Sequence, residues 1–373
     1  MNNFIEHLAH RALPALACCA IACASPMAYA GASATASASA YASDSASINA
    51  ELAREFAHHP LIMVGEYHRS REIHRFLQQL LRDPAFICKA DAVVIEFGNA
   101  RLQQRADDFV AGKPMREDEL ASLWRETAVP LTWNSPVYRQ FIETVREINQ
   151  ARLCPHPIRL LLGDPPLDWS KVKTAADLAA FNDRDRHFAA VVEREVLARG
   201  QRALLVTGKF HAWKTLPRDR EAEGPTVAQL LERRHPGKLF VVMTVPSAEA
   251  ARALGMDAAP AYRPVRNSGL AQADFQLTDF ATTVTPSSAN GKTRLQLQPV
   301  KHWPRMGEVV DGLLYLGADE SIYPSPEIYL EPAYQQELRR HARIINELLG
   351  QDFAPAIDEL VAQALKIRDG KNP

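Results

Sequence analysis

Short apolar runs alternate with amphipathic stretches along most of this chain of 373 residues. Each apolar run ends at polar or turn-forming residues, which predicts a buried strand. The stretches between them repeat hydrophobic residues every three or four positions, which predicts helices. The predicted strands cover residues 60–65, 92–97, 158–162, 203–207, 239–244 and 310–316. The main predicted helices cover residues 71–81, 102–110, 117–126, 135–151, 175–198 and 226–234.

This alternation is typical of a mostly parallel sheet with helices on both faces. The sequence therefore predicts an α/β fold, with a single domain over residues 48–373. Residues 247–305 interrupt the alternation and are rich in Ala, Pro, Ser and Thr, so we expect an irregular insertion before the last strand. Residues 332–367 predict a helical C-terminus that packs back on the domain.

The first 30 residues have the pattern of a secretory signal peptide, with a weakly basic start, an apolar run and a small-residue cleavage pattern at Ala28-Tyr29-Ala30. Residues 31–47 are almost entirely Ala and Ser and predict an unstructured linker. We therefore expect an exported, periplasmic protein. A lipid anchor at Cys23 is disfavoured, because Ala20 stands where a lipoprotein signal has a bulky apolar residue.

Composition narrows the classes of function. Hydrophobic residues make up 47% of the chain, enough for a sizeable core, and the formal net charge is -1. A near-neutral charge without a basic stripe argues against nucleic-acid binding. No segment after the leader is long and apolar enough to predict a membrane span. Only Cys88 and Cys154 follow the leader, and they form either a disulfide in an oxidising compartment or two buried thiols.

Polar residues that carry chemistry gather where the predicted strands end. The carboxyl ends of parallel strands share one edge of a sheet, and ligands bind at that edge. We therefore expect these side chains to line one cavity. They are Glu66, His68, Glu96, Asp164, Asp168 and His211. Each also has a simpler interpretation, such as a charge at a helix start for Glu66 or a turn residue for His68, but their convergence favours a site.

Two Gly-x-x-His segments mark this edge, Gly65–His68 after the first predicted strand and Gly208–His211 after the fourth. Two imidazoles near carboxylates suit either metal ligation or general base catalysis on water. No Gly-x-Ser-x-Gly motif is present, which argues against a serine hydrolase. We interpret His74 as a helix-surface residue. Candidate substrate contacts follow or neighbour these segments: Tyr67, Glu72, Asp164, Asp168, Trp169 and Trp213. The two Trp residues are equally suited to an apolar part of the pocket and to the core.

Two stretches carry a family resemblance. Gly65-Glu66-x-His68, followed by His74 and Leu77-Gln78-x-x-Leu81, resembles the ChaN-type haem-binding proteins. The run from Val93 to Gly112 resembles the same proteins, because a Glu ends the strand and a helix that carries Gln follows.

A third stretch, His68-x-Ser70-Arg71-Glu72, is similar to the His-Gly-Ser/Thr-Arg-Glu motif of the erythromycin esterases, with Arg69 in place of the glycine. These families form one superfamily with the TIKI and TraB proteins. The resemblance implies that His68 is the general base or a metal ligand, that Glu66 and Glu96 position it or bind metal, and that His211 completes the site. Arg71 matches the arginine of the esterase motif.

The resulting prediction is an exported hydrolase that activates water at this His/Glu site to cleave an ester or amide. In a metal-assisted form, Mn, Co or Zn would be held by His68, His211, Glu66 and Glu96. The alternative implied by the resemblance is a ChaN-like protein that binds haem or iron without catalysis, with Tyr67, His68 or His211 as the axial ligand. Both alternatives bind a small molecule.

Overall fold

The computed structural model describes residues 34–129, 132–179, 183–218, 224–275, 282–289, 292–299, 301–318, 320–350 and 352–370. The predicted signal peptide lies outside these residues. Within them, no helix is long and apolar enough to span a membrane.

The strands in chain order are β1 (Leu61–Glu66), β2 (Ala92–Asn99), β3 (Arg159–Asp164), β4 (Ala203–Gly208), β5 (Leu239–Val245), β6 (Ala261–Pro264), β7 (Thr282–Ala289), β8 (Lys292–Pro299) and β9 (Gly312–Tyr315). Seven of the described strands form one sheet in the order β3-β2-β4-β1-β5-β9-β6. All neighbours in it are parallel except β6 and β9, which are antiparallel. Strands β7 and β8 form a separate antiparallel pair.

The α-helices are α1 (Ala34–Glu55), α2 (Arg71–Arg82), α3 (Pro84–Ile87), α4 (Gln103–Val110), α5 (Glu117–Arg125), α6 (Pro136–Gln150), α7 (Ala175–Ala179), α8 (Arg184–Glu195), α9 (Val227–Arg234), α10 (Ala248–Ala253), α11 (Met306–Val309), α12 (Pro332–Leu349) and α13 (Ala354–Arg368). Short 3-10 turns occur at Ala100–Leu102, Leu197–Arg199, Lys209–Ala212, Gly269–Gln272 and Pro326–Leu330.

Helices cover both faces of the sheet, as the sequence predicts. Side chains alternate between the two faces of a strand, and in β1 Ile62 belongs to one hydrophobic cluster while Met63 belongs to the other. Helices α2, α4 and α6 contribute to the cluster around Ile62, whereas α8 and α9 contribute to the cluster around Met63. Burial on both faces explains why the strands are continuously apolar, and the predicted α/β class is confirmed.

Three stretches differ from the elements predicted. Helix α1 begins at Ala34, within the stretch predicted to be an unstructured linker, because alanine has the highest helix propensity of any residue. The helix predicted over residues 175–198 is two helices, α7 and α8, and Asp183 caps α8 by accepting a hydrogen bond from the amide of Arg186. The insertion over residues 247–305 contains three strands, β6, β7 and β8.

The two cysteines that follow the leader are bonded to each other. Cys88 and Cys154 form a disulfide with a Cα–Cα distance of 5.2 Å. The bond links the turn after α3 to the loop that precedes β3. Of the two alternatives that the sequence leaves open, the structure has the disulfide.

The C-terminal part of the chain packs against the segment that follows β1. Residues 320–322 run alongside residues 69–72, and the amides of Arg71 and Ile322 donate to the carbonyls of Glu320 and Arg69, each at 2.8 Å. We call residues 320–322 the strap. Farther on, α12 packs on the loop after β3, where His341 stacks on Trp169 with ring centroids 4.2 Å apart. The C-terminal helices therefore cover one side of the strand ends.

Candidate functional site

The ends of four neighbouring strands position the candidate site. In the sheet order, β3, β2, β4 and β1 are adjacent, and their carboxyl ends carry Asp164, Glu96, Gly208 and Glu66. All four residues are buried, and the carboxylates are at most 5% exposed. The parallel topology thus brings together residues that lie far apart in the sequence.

Glu66 and His68 form a closely hydrogen-bonded pair. Nδ1 of His68 lies 2.6 Å from Oε1 of Glu66. The carboxylate is buried, whereas 27% of the His68 side chain is exposed. The ring meets Trp133 edge-on, with centroids 4.5 Å apart. A buried carboxylate on Nδ1 keeps the proton on that nitrogen and leaves Nε2 as the acceptor. His68 therefore has the arrangement of a general base at the surface of the site.

A second cluster is built around Glu96. Its Oε2 accepts a hydrogen bond from the amide of Gly208, and its Oε1 accepts one from a guanidinium nitrogen of Arg184 at 3.0 Å. The same guanidinium donates to Oδ1 of Asp164, whose Oδ2 accepts from the amide of Ala128 at 2.8 Å. Burial acts to raise the pKa of Glu96, but His211 and Arg184 outweigh it and hold the pKa well below its usual range.

Burial has the larger effect at Asp164. It raises the pKa of Asp164 despite the opposing charge of Arg184. Arg184 itself is held in its charged form by the two carboxylates, which raise its pKa further although burial acts to lower it. The three side chains therefore make a buried ion network that fixes the end of β2.

His211 is held between two carboxylates. Nδ1 lies 2.7 Å from Oδ1 of Asp185, and Nε2 lies 3.2 Å from Oε1 of Glu96. Burial acts to lower the pKa of His211, but the charges of Asp185 and Glu96 raise it to about 10. The imidazole is therefore a cation at neutral pH. His68 and His211 thus differ in their partners, one bound to a single carboxylate and the other to two.

The two glycines of the Gly-x-x-His segments allow close approach rather than a sharp turn. A Cβ on Gly208 would lie 2.7 Å from Cε1 of His68, and one on Gly65 would lie 3.0 Å from Cβ of Ala212. Neither glycine has a positive φ. They let the end of β4 and the turn after it pack against the segment that carries His68.

The positive φ occurs instead at Arg69, where the esterase motif has glycine. Arg69 has a φ of 69°, in the left-handed region that favours glycine. Its amide donates to the hydroxyl of Tyr138 at 2.9 Å, and its guanidinium lies 5.3 Å from the ring centroid of Tyr323. Together with the strap, these contacts hold the turn that follows His68.

Several predicted site residues have contacts that do not include the two histidines. Arg71 pairs with the carboxylate of Glu320 at 2.6 Å, and Glu72 accepts from the amide of Glu320 at 2.9 Å. Both therefore bind the strap. Tyr67 lies beside the site, with the ammonium of Lys209 3.7 Å from its ring centroid.

Two of the candidate substrate contacts, Trp169 and Trp213, are buried in the structure. Trp213 is fully buried in the core and packs edge-on against Phe275, and Trp169 is buried under α12. Neither ring is accessible to a substrate, because a Trp that follows a strand can also close the core. Asp168 accepts from the amide and hydroxyl of Ser170, which lowers its pKa to about 2, and it shapes that turn.

Four residues of this region have positions that the sequence pattern did not predict. Arg184 and Asp185 begin α8, and Asp183 is the helix-capping signal that would have separated them from the preceding helix. Trp133 lies in the loop before α6, where nothing in the sequence marks it. His74 was interpreted as a surface residue, but it is fully buried. Its spacing from Ile73 and Leu77 places it on the apolar face of α2.

Metal ions in proteins need several donor side chains around one point. Among the described residues, no group of three or more His, Cys, Asp or Glu side chains is arranged so that it could hold a metal ion. A metal-bound imidazole must be neutral, whereas both nitrogens of His211 face carboxylates and its pKa is raised to about 10. The predicted ligand set of His68, His211, Glu66 and Glu96 therefore does not fit a metal.

A small cavity of about 10 Å³ lies within the Glu96 cluster. Glu96, Asp164, Arg184, Asp185 and His211 contribute to its lining. Its volume suffices for about one water molecule. Glu66 and His68 do not line this cavity. The cavity is therefore lined by only some of the side chains that were expected to share it.

Comparisons with known proteins support the fold. No protein-family model and no curated protein sequence matches the chain. Among solved structures, a variant of the erythromycin esterase EreC in its open conformation aligns with a TM-score of 0.50 and 11% identity, over 73% of this chain and 94% of that one. The chain is therefore similar in fold to that esterase. This agrees with the resemblance seen in the sequence, and at 11% identity the likeness shows the fold alone.

Two further structures align less closely. A succinoglycan biosynthesis protein has a TM-score of 0.49 at 11% identity, over 73% of this chain and 91% of that one. ChaN of Campylobacter jejuni, described with cofacial haem binding, has a TM-score of 0.35 at 14% identity, over 52% of this chain and 84% of that one.

Proposed function

We propose that this protein is a metal-independent hydrolase in which His68 activates a water molecule to cleave an ester or amide bond. The observation that carries the proposal is the 2.6 Å contact between Nδ1 of His68 and the buried carboxylate of Glu66. It orients the imidazole so that Nε2 is the free base on the partly exposed side chain. The similarity of fold to an erythromycin esterase is consistent with this chemistry.

In the proposed reaction, Nε2 of His68 takes a proton from water, and the water oxygen forms a bond to the carbonyl carbon of the substrate. Glu66 stabilises the imidazolium that results. The tetrahedral intermediate then expels the alcohol or amine, which receives the proton from His68. No covalent enzyme intermediate is required, because water is itself the nucleophile.

The site holds two cationic groups, and positive charge stabilises a carbonyl oxygen that becomes negative. His211 is protonated at neutral pH, and 24% of its side chain is exposed. Arg184 lies deeper, with 15% of its side chain exposed, and holds Glu96 and Asp164. We therefore assign His211 as a nearby positive charge and not as a hydrogen-bond donor, because both of its N–H groups meet carboxylates, and Arg184 as its support.

Haem binding is less well supported by these contacts. An axial ligand needs an available donor atom. His211 has both nitrogens against carboxylates, and the hydroxyl oxygen of Tyr67 is buried. Of the three proposed axial ligands, His68 alone combines partial exposure with an acceptor nitrogen that faces no described carboxylate at hydrogen-bonding distance.

Hydrolysis of a panel of chromogenic esters and amides tests the proposal. His68→Ala should lower kcat/KM on the order of 10²–10⁴-fold, the usual contribution of a general base. The matched control is His235→Ala, because His235 also pairs with a carboxylate, that of Glu193 at 3.1 Å, but at the end of α9. Activity that survives in H68A, in protein with an unchanged melting temperature, would refute the proposal.

We also propose that the protein is exported. Cleavage after Ala30 is supported by the pattern of the first 30 residues, and the Cys88–Cys154 disulfide suits an oxidising compartment. Mass spectrometry of the exported protein should show Gly31 as the N-terminus. An exported protein that retains Met1, or carries lipid on Cys23, would contradict this.

A further inference from the structure

The buried His74 is the polar side chain that the proposed reaction leaves unexplained. It lies on α2 with 0% of its surface exposed. Neither of its ring nitrogens has a hydrogen-bond partner among the described residues. Its Nε2 lies 3.4 Å from Oε2 of Glu66, and that oxygen also lacks a hydrogen-bond partner there. Two buried polar atoms without partners thus face each other beside the His68–Glu66 pair.

The surroundings of His74 favour an apolar residue on packing grounds alone. Rings of Phe97, Tyr138 and Phe141 meet the imidazole edge-on, at centroid distances of 6.1, 5.1 and 6.4 Å. A buried polar group without a hydrogen bond costs about 1–3 kcal/mol. A polar partner would offset this cost for an imidazole surrounded by this cage of aromatic rings. The polar atom that the imidazole faces is Oε2 of Glu66.

We propose that His74 is a positioning residue: its Nε2–H donates to Oε2 of Glu66 and turns the carboxylate so that Oε1 accepts from Nδ1 of His68. An approach of about 0.5 Å brings the 3.4 Å contact to ordinary hydrogen-bond length. The catalytic consequence rests on the proposed hydrolysis, but the orientation itself does not. His74 touches neither substrate nor water and acts through Glu66.

The state of Glu66 agrees with this arrangement. Burial acts to raise the pKa of Glu66, but His68 and His74 together outweigh it, and the pKa is lowered. Glu66 is thus an anion that accepts from one imidazole on each oxygen. With both oxygens held, the carboxylate keeps the proton of neutral His68 on Nδ1 and presents Nε2 as the base.

The experiment compares three variants by 15N NMR of His68 at a pH where its ring is neutral. His74→Gln keeps an N–H donor near the position of Nε2, whereas His74→Leu fills the cage without a donor. Phe141→Leu is the matched control, because it disturbs the same cage and leaves His74 in place. The wild type, H74Q and F141L should show the proton on Nδ1, and H74L should show a mixture of the two tautomers.

Kinetics supply the second readout. H74L should lower kcat on the order of 10–100-fold with KM little changed, as is usual for groups that orient an imidazole, and H74Q should recover most of the loss. A single Nδ1 tautomer in H74L, or equal tautomer changes in H74L and F141L, would overturn the positioning role. If H74L changes the tautomer but the wild type hydrolyses nothing, the positioning role stands and the proposed hydrolysis fails.

Discussion

His211 lies with its Nδ1 2.7 Å from Oδ1 of Asp185, at the start of α8. The same oxygen also accepts from the amide of Val227 at 2.8 Å, so α9 helps to fix it. The amide of Val227 therefore helps to hold the carboxylate of Asp185 against the imidazole of His211. Together with Glu96, it keeps His211 protonated far above the pH at which a histidine in water loses its proton.

This pairing predicts a loss of stability at alkaline pH. The folded-state pKa of His211 is about 10, above the ordinary value of 6.5, so the folded protein holds a proton that the unfolded chain releases. The protonated His211 contributes fully to the free energy of unfolding below pH 6.5, and this contribution is lost as the pH rises through about 10. We expect a loss of about 2–3 kcal/mol, less than the full pKa difference would give, because part of the ring is exposed.

Denaturant unfolding at a series of pH values measures this effect. His211→Asn replaces the imidazole by a neutral amide and should show a flatter dependence of unfolding free energy on pH than the wild type. Parallel curves for the two proteins between neutral and alkaline pH would contradict the assignment of a protonated His211.

Gly208 should tolerate no side chain. In Gly208→Ala the new Cβ would lie 2.7 Å from Cε1 of His68. Because His68 is partly exposed, we expect its ring to move away and hydrolysis to fall on the order of 10²–10⁴-fold, with little change in melting temperature. Gly269→Ala is the control, because a Cβ there meets no described residue within 4 Å. Equal activity in the two variants would show that the position of His68 is unimportant.

Removal of Arg184 should destabilise the fold. In Arg184→Met, the buried carboxylates of Glu96 and Asp164 lose their cation, and we expect a loss of about 3–5 kcal/mol in unfolding free energy. Arg186→Met on the same helix is the matched control, because Arg186 and its partner Asp183 are about half exposed. A comparable loss of unfolding free energy in both variants would mean that the buried ion network stabilises the fold no more than the exposed pair does.

The Cys88–Cys154 disulfide should contribute to stability. The double variant with both cysteines changed to Ala should unfold about 2–5 kcal/mol more easily, as is usual when a native disulfide is removed. A reducing agent should lower the melting temperature of the wild type and leave that of the double variant unchanged. An identical response of the two proteins to reductant would argue that the bond is absent in solution.

Activity should be independent of a chelator. The carboxylates on His211 keep it cationic and unsuitable as a metal ligand. Hydrolysis by the wild type should therefore be unchanged after EDTA treatment and dialysis. Activity that disappears and then returns with Mn, Co or Zn would reject the metal-independent mechanism.

Much of the site could be read from the order of strands and polar residues. Because parallel strands end at one edge, Glu66, Glu96 and Asp164 were placed together although nearly a hundred residues of sequence separate the first from the last. The sequence leaves the positions of Trp169 and Trp213 open for a physical reason. A large aromatic side chain near a strand end is equally suited to a pocket wall and to the core, and only packing decides between them.

By itself, the sequence determined the α/β class, the strand ends that form the edge of the sheet, and the two histidines near that edge. It could do so because hydrophobic periodicity and the polar residues that end each strand are local properties of the chain. The tertiary structure alone decided the partners. It placed Arg184 and Asp185 at the start of a new helix, turned His74 toward Glu66, and used Gly65 and Gly208 for close packing. Those contacts join residues distant in sequence, and which charge meets which histidine depends on how the helices dock on the sheet.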